Sequence, residues 1–546
     1  MAPAMTLAIN PWTNYDPISL PKMLILVSFG ISVFLLLFAR RKEVRSRLPG
    51  KLWLVLALFV IWLVVVLLFS GAPITQQIWG SFGRNTGFAT YLSLLTALTA
   101  SAILQSSYYY AGFAKALVFT ALPMTVYCLI QMSGKDPVGW SEFATFGTLG
   151  NVNFLSAFLG MTSVASLAFA VSKKFSNITR ISLLCLAVLD IYIAYSTGSI
   201  QGVVIFLAGS FMILLFLLLQ IRSSFSKVLL GAYSLILISS VTTGVLGLFD
   251  KGPLARFLFQ QSLVFRTDYI HAGWEMTLSK PLFGVGLDSY GDWYRESRGE
   301  ISTLRTGVDR VSNTAHNIFL DISSNGGIIL GLVFVTITIF AFYSGMKYLR
   351  TQNDFDPYFS ALASVWFAYQ VQALVSINQI GVGIWGWLLS GALIGYGQMS
   401  KTLKENAKVT DSPSKTRRDF KGSQLSAKDS VVALSGFVLG LLVVAPPLSA
   451  DIAYRSASLT GDMNKIKLAT SKLGATQFHR ELALDFAMRE NLTGEVGPLA
   501  KELVFDYPRN FFGWRVLSVL TASTPLEREF ALARARELDP FNPDLG

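Results

Sequence analysis

The chain has 546 residues, of which 52% are hydrophobic and 14% are charged, and its mean hydropathy is +0.50. Soluble globular proteins carry about a quarter charged residues, so this composition excludes an ordinary soluble domain and indicates a polytopic membrane protein. The net charge of +12 does not indicate nucleic-acid binding, because no basic stripe with interleaved aromatic residues is present. We therefore expect a membrane, and no nucleic acid, as a partner.

Apolar runs of about twenty residues, the length that a membrane-spanning helix needs, occur along most of the chain. They lie near 21–39, 52–70, 87–106, 111–131, 152–171, 181–197, 201–221, 227–248, 318–346, 357–378, 380–399 and 431–450. The sequence thus predicts an all-α fold, a polytopic bundle of about twelve membrane helices.

Clusters of basic residues follow the odd-numbered runs. They are Arg40, Arg41, Lys42, Arg45, Arg47 and Lys51 after the first run, Lys173, Lys174 and Arg180 after the fifth, Arg222 and Lys227 after the seventh, Lys347 and Arg350 after the ninth, and eight Lys and Arg between 401 and 428 after the eleventh. Because the positive-inside rule assigns such clusters to the cytoplasm, both termini and the polar stretch 250–315 are predicted to face outward.

These patterns divide the chain into four parts. We expect a membrane bundle over 1–400 with an extracytoplasmic loop at 250–315, a basic cytoplasmic linker at 401–430, a last membrane helix at 431–450 and an extracytoplasmic helical domain at 451–546. In that domain Pro508 and Pro540 recur near the period of about 34 residues of tetratricopeptide helix pairs, so we expect a TPR-like domain and a candidate surface for a protein partner. An irregular helical cap with no binding role is the alternative, because so few repeats form no long groove.

Three motifs follow one another at the end of the polar stretch. They are Pro281-Leu-Phe-Gly284-Val-Gly286, Asn313-Thr-Ala-His316-Asn317-Ile-Phe-Leu320 and Gly326-Gly327-Ile-Ile-Leu-Gly331. Together they resemble the superfamily of O-antigen ligases and Wzy-type polymerases, which includes the bacterial protein O-oligosaccharyltransferases. The similarity extends to Gly83-Arg84-Asn-Thr-Gly87 and to residues 146–154, and it covers most of residues 75–400.

The resemblance implies a glycosyltransferase of the multi-span C-type class in the bacterial cytoplasmic (inner) membrane. Such enzymes move a glycan from a polyprenyl-diphosphate carrier to a hydroxyl-bearing lipid, glycan or protein acceptor at the outer face, by an inverting and metal-independent displacement. The sequence shows no His, Cys and carboxylate cluster of the kind that a divalent ion needs, so no metal and no cofactor are expected. A departing diphosphate would then need fixed cations, and the planar donors of arginine match phosphate oxygens.

On this resemblance, His316 is the candidate catalytic residue, a general base that activates the acceptor hydroxyl. A histidine that caps the helix or bonds a loop carbonyl is the alternative. Arg266 matches the loop arginine of the family and is the first candidate for binding the diphosphate; the alternative is a surface arginine paired with Asp268 or Glu275. Arg84 is a second substrate-binding candidate, and the alternative is a snorkelling interfacial arginine.

The chain departs from the family pattern after the sixth run. Many members carry Ser-Arg-Gly there, whereas this chain reads Thr197-Gly-Ser-Ile-Gln201-Gly202. Either the missing positive charge comes from elsewhere or the head group is held differently; the candidates are Arg84, Arg295, Arg298, Arg305 and Arg310. Gly284 and Gly286 are predicted to allow a tight backbone turn and not to cradle phosphate, because no strand-to-helix context surrounds them.

Other functions stay open at this point. A Wzy-type polymerase that joins repeat units on the lipid carrier needs the same diphosphate clamp and activated hydroxyl. A transporter commonly has about twelve spans, but residues 20–200 and 220–400 show no internal similarity. A non-catalytic membrane scaffold, whose helical domain binds a partner at the cell surface, is a further alternative, and the missing Ser-Arg is the observation that keeps it open.

Overall fold

The computed structural model describes residues 1–139, 144–221, 225–258, 261–408 and 426–545, and within these ranges it contains helices and no strand. The predicted all-α class is confirmed. Of the predicted linker, residues 409–425 lie outside the described residues.

Eleven helices precede the polar stretch. They are α1 (Ala2–Leu7), α2 (Ser19–Ala39), α3 (Arg41–Arg47), α4 (Leu52–Phe69), α5 (Ile74–Trp79), α6 (Phe88–Leu104), α7 (Ser107–Met132), α8 (Val152–Ala170), α9 (Asn177–Ser196), α10 (Gln201–Leu218) and α11 (Ser226–Leu248). The longer ones are apolar on nearly all sides, as α4 illustrates with no charged residue in eighteen. Helices of this kind bury one side in the bundle and offer the other to lipid.

The polar stretch 250–315 contains four helices of its own. They are α12 (Ala255–Leu258), α13 (Gln261–Ser279), α14 (Tyr290–Ser297) and α15 (Glu300–Thr306). A small core of buried residues, among them Phe265, Tyr269, Tyr290, Tyr294 and Ala315, holds α13 and α14 against the start of the next long helix. The stretch is therefore a packed cap and not an extended loop.

The membrane bundle is completed by α16 (Ile318–Leu349), α17 (Pro357–Ala373), α18 (Ile380–Lys408) and α19 (Ala427–Thr460). Helix α18 packs against α6 and α16, and its apolar part is almost wholly buried, so it forms the centre of the bundle. Helix α19 lies along α2 and continues ten residues past the predicted boundary at 450.

Ten of the described helices are long and apolar enough to cross a membrane. The predicted runs at 87–106 and 357–378 form α6 and α17, which have 17 residues each. A helix of that length extends about 25 Å, less than the roughly 30 Å of a bilayer's hydrocarbon core. The multi-pass architecture is confirmed, whereas the count of twelve spans is not.

The C-terminal domain consists of five helices and a short 3-10 turn, Pro543–Leu545. The helices are α20 (Met463–Thr470), α21 (Gln477–Arg489), α22 (Thr493–Asp506), α23 (Phe511–Val519) and α24 (Pro525–Leu538). Helix α21 packs on α22, and α23 packs on α24. Assignment of these pairs to the tetratricopeptide class stays a prediction.

The N-terminal segment, the polar stretch and the C-terminal domain meet at one end of the bundle. Asp451 accepts hydrogen bonds from the backbone N–H groups of Tyr15 at 2.7 Å and Asp16 at 2.9 Å. Arg298 of the polar stretch forms an ion pair with Asp539 of the C-terminal domain at 2.8 Å. All three polar parts therefore lie on the same side of the membrane helices.

Candidate active site

The motif at 281–286 packs on a break in helix α16, which lies in the motif at 326–331. Hydrogen bonds join the backbones of the two segments. Gly327 has φ +79°, outside the helical range. The Val285 N–H donates to the Ser324 carbonyl at 2.9 Å, and the Ile328 N–H donates to the Pro281 carbonyl at 2.9 Å. The backbones approach so closely that a Cβ on Gly327 would lie 2.0 Å from the Leu282 carbonyl oxygen.

The predicted tight turn at the first motif is confirmed. Gly284 and Gly286 have φ +63° and +104°, values that side chains disfavour. The amide oxygen of Asn325, beside the break in α16, accepts hydrogen bonds from the backbone N–H groups of Ser289 and Tyr290 at the start of α14. The break in α16 therefore fixes both the turn and the helix that follows it.

His316 lies directly before α16 in the left-handed region, with φ +51°. Its half-buried ring packs on the ring of Tyr269, with centroids 5.1 Å apart. Asn317, and not His316, caps the helix by accepting from the Leu320 N–H at 3.1 Å. Neither ring nitrogen of His316 forms a hydrogen bond with any residue in the described ranges, so neither is committed to a structural contact.

The imidazole of His316 is neutral. Burial lowers its pKa to about 3, and the positive charges of Arg266 and Arg84 contribute to the same shift. Because a cation disfavours a second positive charge nearby, these two arginines act on His316 electrostatically. The structure thus brings the three predicted site residues into one neighbourhood.

Arg266 extends from α13 toward the start of α10. In the amide orientation that satisfies both groups, the side-chain oxygen of Gln201 accepts from Nη1 and Nη2 of Arg266 at 3.1 and 3.0 Å. Asp268 instead pairs with Arg305. No carboxylate in the described part of the chain forms an ion pair with Arg266, and burial lowers the pKa of its guanidinium.

This arrangement answers the question raised by the missing Ser-Arg-Gly. Gln201 belongs to the divergent segment, and the guanidinium of Arg266 lies on its side chain. Arg266 therefore supplies a positive charge at the divergent segment 197–202. It is not one of the five arginines that were considered for this charge from the sequence.

Arg84 is held by two carboxylates. Its Nε donates to Asp288 at 3.0 Å and its Nη2 to Asp321 at 2.9 Å, while its Nη1 donates to the Asn313 carbonyl at 3.1 Å. The side chain is 4% exposed. Burial opposes its charge, but Asp321 and Asp288 outweigh that cost and raise the pKa of Arg84. Arg84 is therefore a buried, fully engaged cation and not a snorkelling one.

Three other arginines of the polar stretch have partners of their own. Arg295 and Arg298 both pair with Asp539, and the guanidinium of Arg310 lies over the ring of Phe265 at 4.3 Å. These cations hold the polar stretch together and attach it to the C-terminal domain.

Asp288 and Asp321 are site residues that the sequence reasoning missed. Asp321 accepts from the Ala315 N–H at 3.2 Å, so it links Arg84 to the backbone beside His316. Asp288 accepts from the Ser81 and Thr86 N–H groups. A usable signal existed for Asp321, because an acid in the first turn of a membrane helix is costly unless it is paired.

Several other polar residues have local roles. The carboxylate of Asp190 accepts from the hydroxyls of Thr125 at 2.6 Å and Thr162 at 2.8 Å, inside the bundle. His271 lies 3.9 Å from Glu275, with both side chains exposed. An Asp-x-Asp sequence, Asp354-Phe-Asp356, lies past the far end of α16, where Asp356 caps α17.

A cavity of about 460 Å³ lies between the polar stretch and the C-terminal domain, with Asn313 in its wall. Asp288 and Asn313, both hydrogen-bonded to Arg84, belong to its wall. Residues from α5, α14, α21 and α23 complete it. Arg84 therefore bonds to two residues of the cavity wall.

The comparison with known families agrees with this geometry. Residues 181–335 match the family model described as Wzy_C, O-antigen ligase. The matched segment runs from α9 into α16 and contains both Arg266 and His316. No curated protein matches the chain. Over residues 181–335, this multi-pass membrane protein is therefore similar to the O-antigen ligase family.

Proposed function

We propose that this protein transfers a glycan from a polyprenyl-diphosphate carrier to a hydroxyl acceptor at the outer face of the bacterial cytoplasmic membrane. The observation that carries the proposal is the convergence of a neutral His316 with Arg266 and Arg84 at one end of a membrane bundle. We propose that this end of the bundle faces outward, with both termini and the polar stretch extracytoplasmic, as the basic clusters predict.

The proposed reaction is an inverting displacement. The acceptor hydroxyl oxygen bonds to the anomeric carbon while the bond from that carbon to the diphosphate oxygen breaks, and the diphosphate leaves with the electron pair. The hydroxyl proton passes to a ring nitrogen of His316, which accepts it because the ring is neutral. Neither ring nitrogen is hydrogen-bonded to a described residue, which leaves both available for this step.

Arg266 is the proposed cation for the departing diphosphate. It has no carboxylate partner among the described residues, and its neutral contact with Gln201 can be exchanged for phosphate oxygens, which are stronger acceptors. Arg84 is proposed as a positioning residue. Its donors are directed at Asp288, Asp321 and the Asn313 carbonyl, so it holds the segment that carries His316. Its positive charge also acts on the His316 ring.

The test is transfer of the native lipid-linked glycan in membranes that carry variants of this chain. His316→Ala and Arg266→Ala are each expected to lower the rate at least about a hundredfold, since a general base and an electrostatic clamp each contribute on that order. Arg266→Lys should recover only part of the loss, because an ammonium lacks the planar pair of donors. His271→Ala is the matched control and should transfer normally.

Normal transfer by a well-folded His316→Ala variant would refute the mechanism. The product separates this function from its nearest rival. Loss of a ligase leaves full-length glycans on the lipid carrier, whereas loss of a Wzy-type polymerase leaves single repeat units. We expect full-length carrier-bound chains.

A further inference from the structure

The cavity between the polar stretch and the C-terminal domain is lined with aromatic faces and hydrogen-bonding side chains. Trp79, Phe82, Phe478 and Phe511 supply rings, and Phe82 stacks on Phe478 with centroids 4.5 Å apart. The rings come from both the membrane part and the C-terminal domain. The cavity therefore exists only because the two parts pack together.

Its polar side chains are fixed in place by one another. Gln76 donates to the Asp292 carboxylate at 2.7 Å. Gln477 donates to Glu481 at 3.1 Å, and Asn510 donates to the same carboxylate. Burial raises the pKa of Asp292 to about 6 and raises that of Glu481 as well. Amides and carboxyl groups held in this way offer both donors and acceptors to a ligand.

The cations at the cavity are already neutralised. Arg295 pairs with Asp539 and lies over the ring of Phe511 at 4.3 Å. Arg509 pairs with Glu296. A second diphosphate would find no unpaired arginine in this wall, in contrast to Arg266 beside His316. The wall suits a ligand that is rich in hydroxyl groups and carries little phosphate charge.

We propose that this cavity binds a segment of glycan. A sugar ring has a face of C–H groups that packs on aromatic rings and a rim of hydroxyls that each donate and accept, which matches an apolar wall with a few fixed polar groups. A polypeptide ligand is less well matched, because its backbone needs a sheet edge or a long groove, and the described wall has neither.

The cavity lies close to His316, so a glycan bound in it could take part in glycan transfer. In this respect the inference rests on the proposed function. Asn313 is in the cavity wall and His316 is three residues further on, so their Cα atoms are at most about 11 Å apart. A glycan bound here lies within reach of the reacting groups. It is either the glycan of the lipid-linked donor or that of the acceptor, and both have the same chemistry.

The test is site-specific photo-crosslinking of the full chain in its native membranes. A benzophenone amino acid replaces Phe478, which lies in the cavity wall, and in a matched control it replaces Phe505, an exposed phenylalanine on α22. We expect an adduct with repeating sugar mass increments at position 478 and none at 505. A peptide adduct at 478, equal adducts at both positions, or no adduct at 478 would overturn the proposal.

The adduct also identifies the source of the glycan. A mass that includes the polyprenyl diphosphate assigns the cavity to the donor, and a sugar adduct without it assigns the cavity to the acceptor. The His316→Ala variant is crosslinked in parallel. A sugar adduct in that variant supports the cavity proposal even if transfer continues and the mechanism fails, so the two failures are distinguishable.

A kinetic measurement complements the crosslinking. Phe478→Ala is expected to raise KM for the substrate so identified by roughly tenfold with little change in kcat, because it removes binding that is equal in ground and transition states. Phe505→Ala should change neither constant. An unchanged KM for both substrates in Phe478→Ala would contradict the assignment.

Discussion

His316 has a protonation state that its neighbours set and that a substrate can change. Burial comes first among the causes of its low pKa, and Arg266 and Arg84 follow. A bound diphosphate would offset the charge of these arginines, and so would raise the pKa of His316 toward the ordinary value near 6.5. The base would then become stronger when the donor is present.

This coupling predicts different pH profiles for two kinetic constants. The ratio kcat/KM reports the free enzyme, in which the ring stays neutral down to about pH 3, so kcat/KM should not fall as the pH drops through 6.5. The constant kcat reports the complex, and it should fall at a higher pH, because protonation of the ring removes the base. Measurement of both constants between pH 4 and 8, about the range in which His titrates, tests this.

The pKa of His316 can be measured directly by NMR, because the chain has only 3 histidines. Selective ¹⁵N labelling of histidine gives few ring signals, and His316→Gln identifies the signal of interest. The pKa of His316 should rise on addition of a polyprenyl diphosphate. An unchanged His316 pKa with bound diphosphate would contradict the coupling.

The sequence motifs single out His316 and Arg266 as candidates, but the residues that surround them could not be predicted from the sequence. The motif around His316 is local, so a short stretch of sequence carries it. The partners of Arg84 are 204 and 237 residues away along the chain, and no periodicity indicates which carboxylate a given arginine will meet. Gln201 was noticed only as a departure from a pattern, whereas its contact with Arg266 depends on how α13 packs.

At the scale of elements, the glycine-rich motifs at 281–286 and 326–331 bring two backbone segments into direct contact. Gly327→Ala would place a Cβ 2.0 Å from the Leu282 carbonyl oxygen at φ +79°. Strain at such a φ and overpacking each cost about 1–3 kcal/mol. We expect the variant to lose thermal stability in detergent and to transfer glycan poorly, because the turn and α14 lose their support.

The control for Gly327→Ala is in the same polar stretch. A Cβ on Gly299 would meet nothing within 4 Å, so Gly299→Ala should melt and transfer like the parent. Equal behaviour of the two variants would show that the close contact between the motifs is dispensable.

The apolar runs predicted the long helices well, because a segment in lipid has to satisfy its own backbone and so becomes a helix. The shorter α6 and α17 show the limit of this argument. Their runs look membrane-length in the sequence, but the helices end at 17 residues. Asn378 and Gln379, between α17 and α18, are buried polar residues. Their burial depends on how the bundle packs, which hydropathy does not report.

At the scale of the whole molecule, the C-terminal domain is fastened to the polar stretch by a buried carboxylate. Asp539 receives both Arg295 and Arg298, and its side chain and that of Arg298 are fully buried. Asp539→Ala leaves the buried Arg298 without its carboxylate partner, a change that costs about 3–5 kcal/mol. Faster hydrogen exchange is expected in residues 300–310 and in α24, together with slower transfer.

The control is Glu537→Ala on the same helix, because Glu537 is 57% exposed and pairs with Arg534, three residues before it. Exposed pairs contribute less than about 1 kcal/mol, so exchange in residues 300–310 should not change. If Asp539→Ala also left that exchange unchanged, the ion pairs would not be what joins the domain to the polar stretch.

Helix α19 runs unbroken from the far end of the bundle into the C-terminal domain. Against α2 it is so tightly seated that a Cβ on Gly440 would lie 2.5 Å from the Ser28 Cα. Because a helix packed this closely resists tilting, we expect the C-terminal domain to keep its position at the end of the bundle. In the proposed function, the glycan would then enter laterally, between the C-terminal domain and the lipid headgroups, and the volume of the cavity would not limit its length.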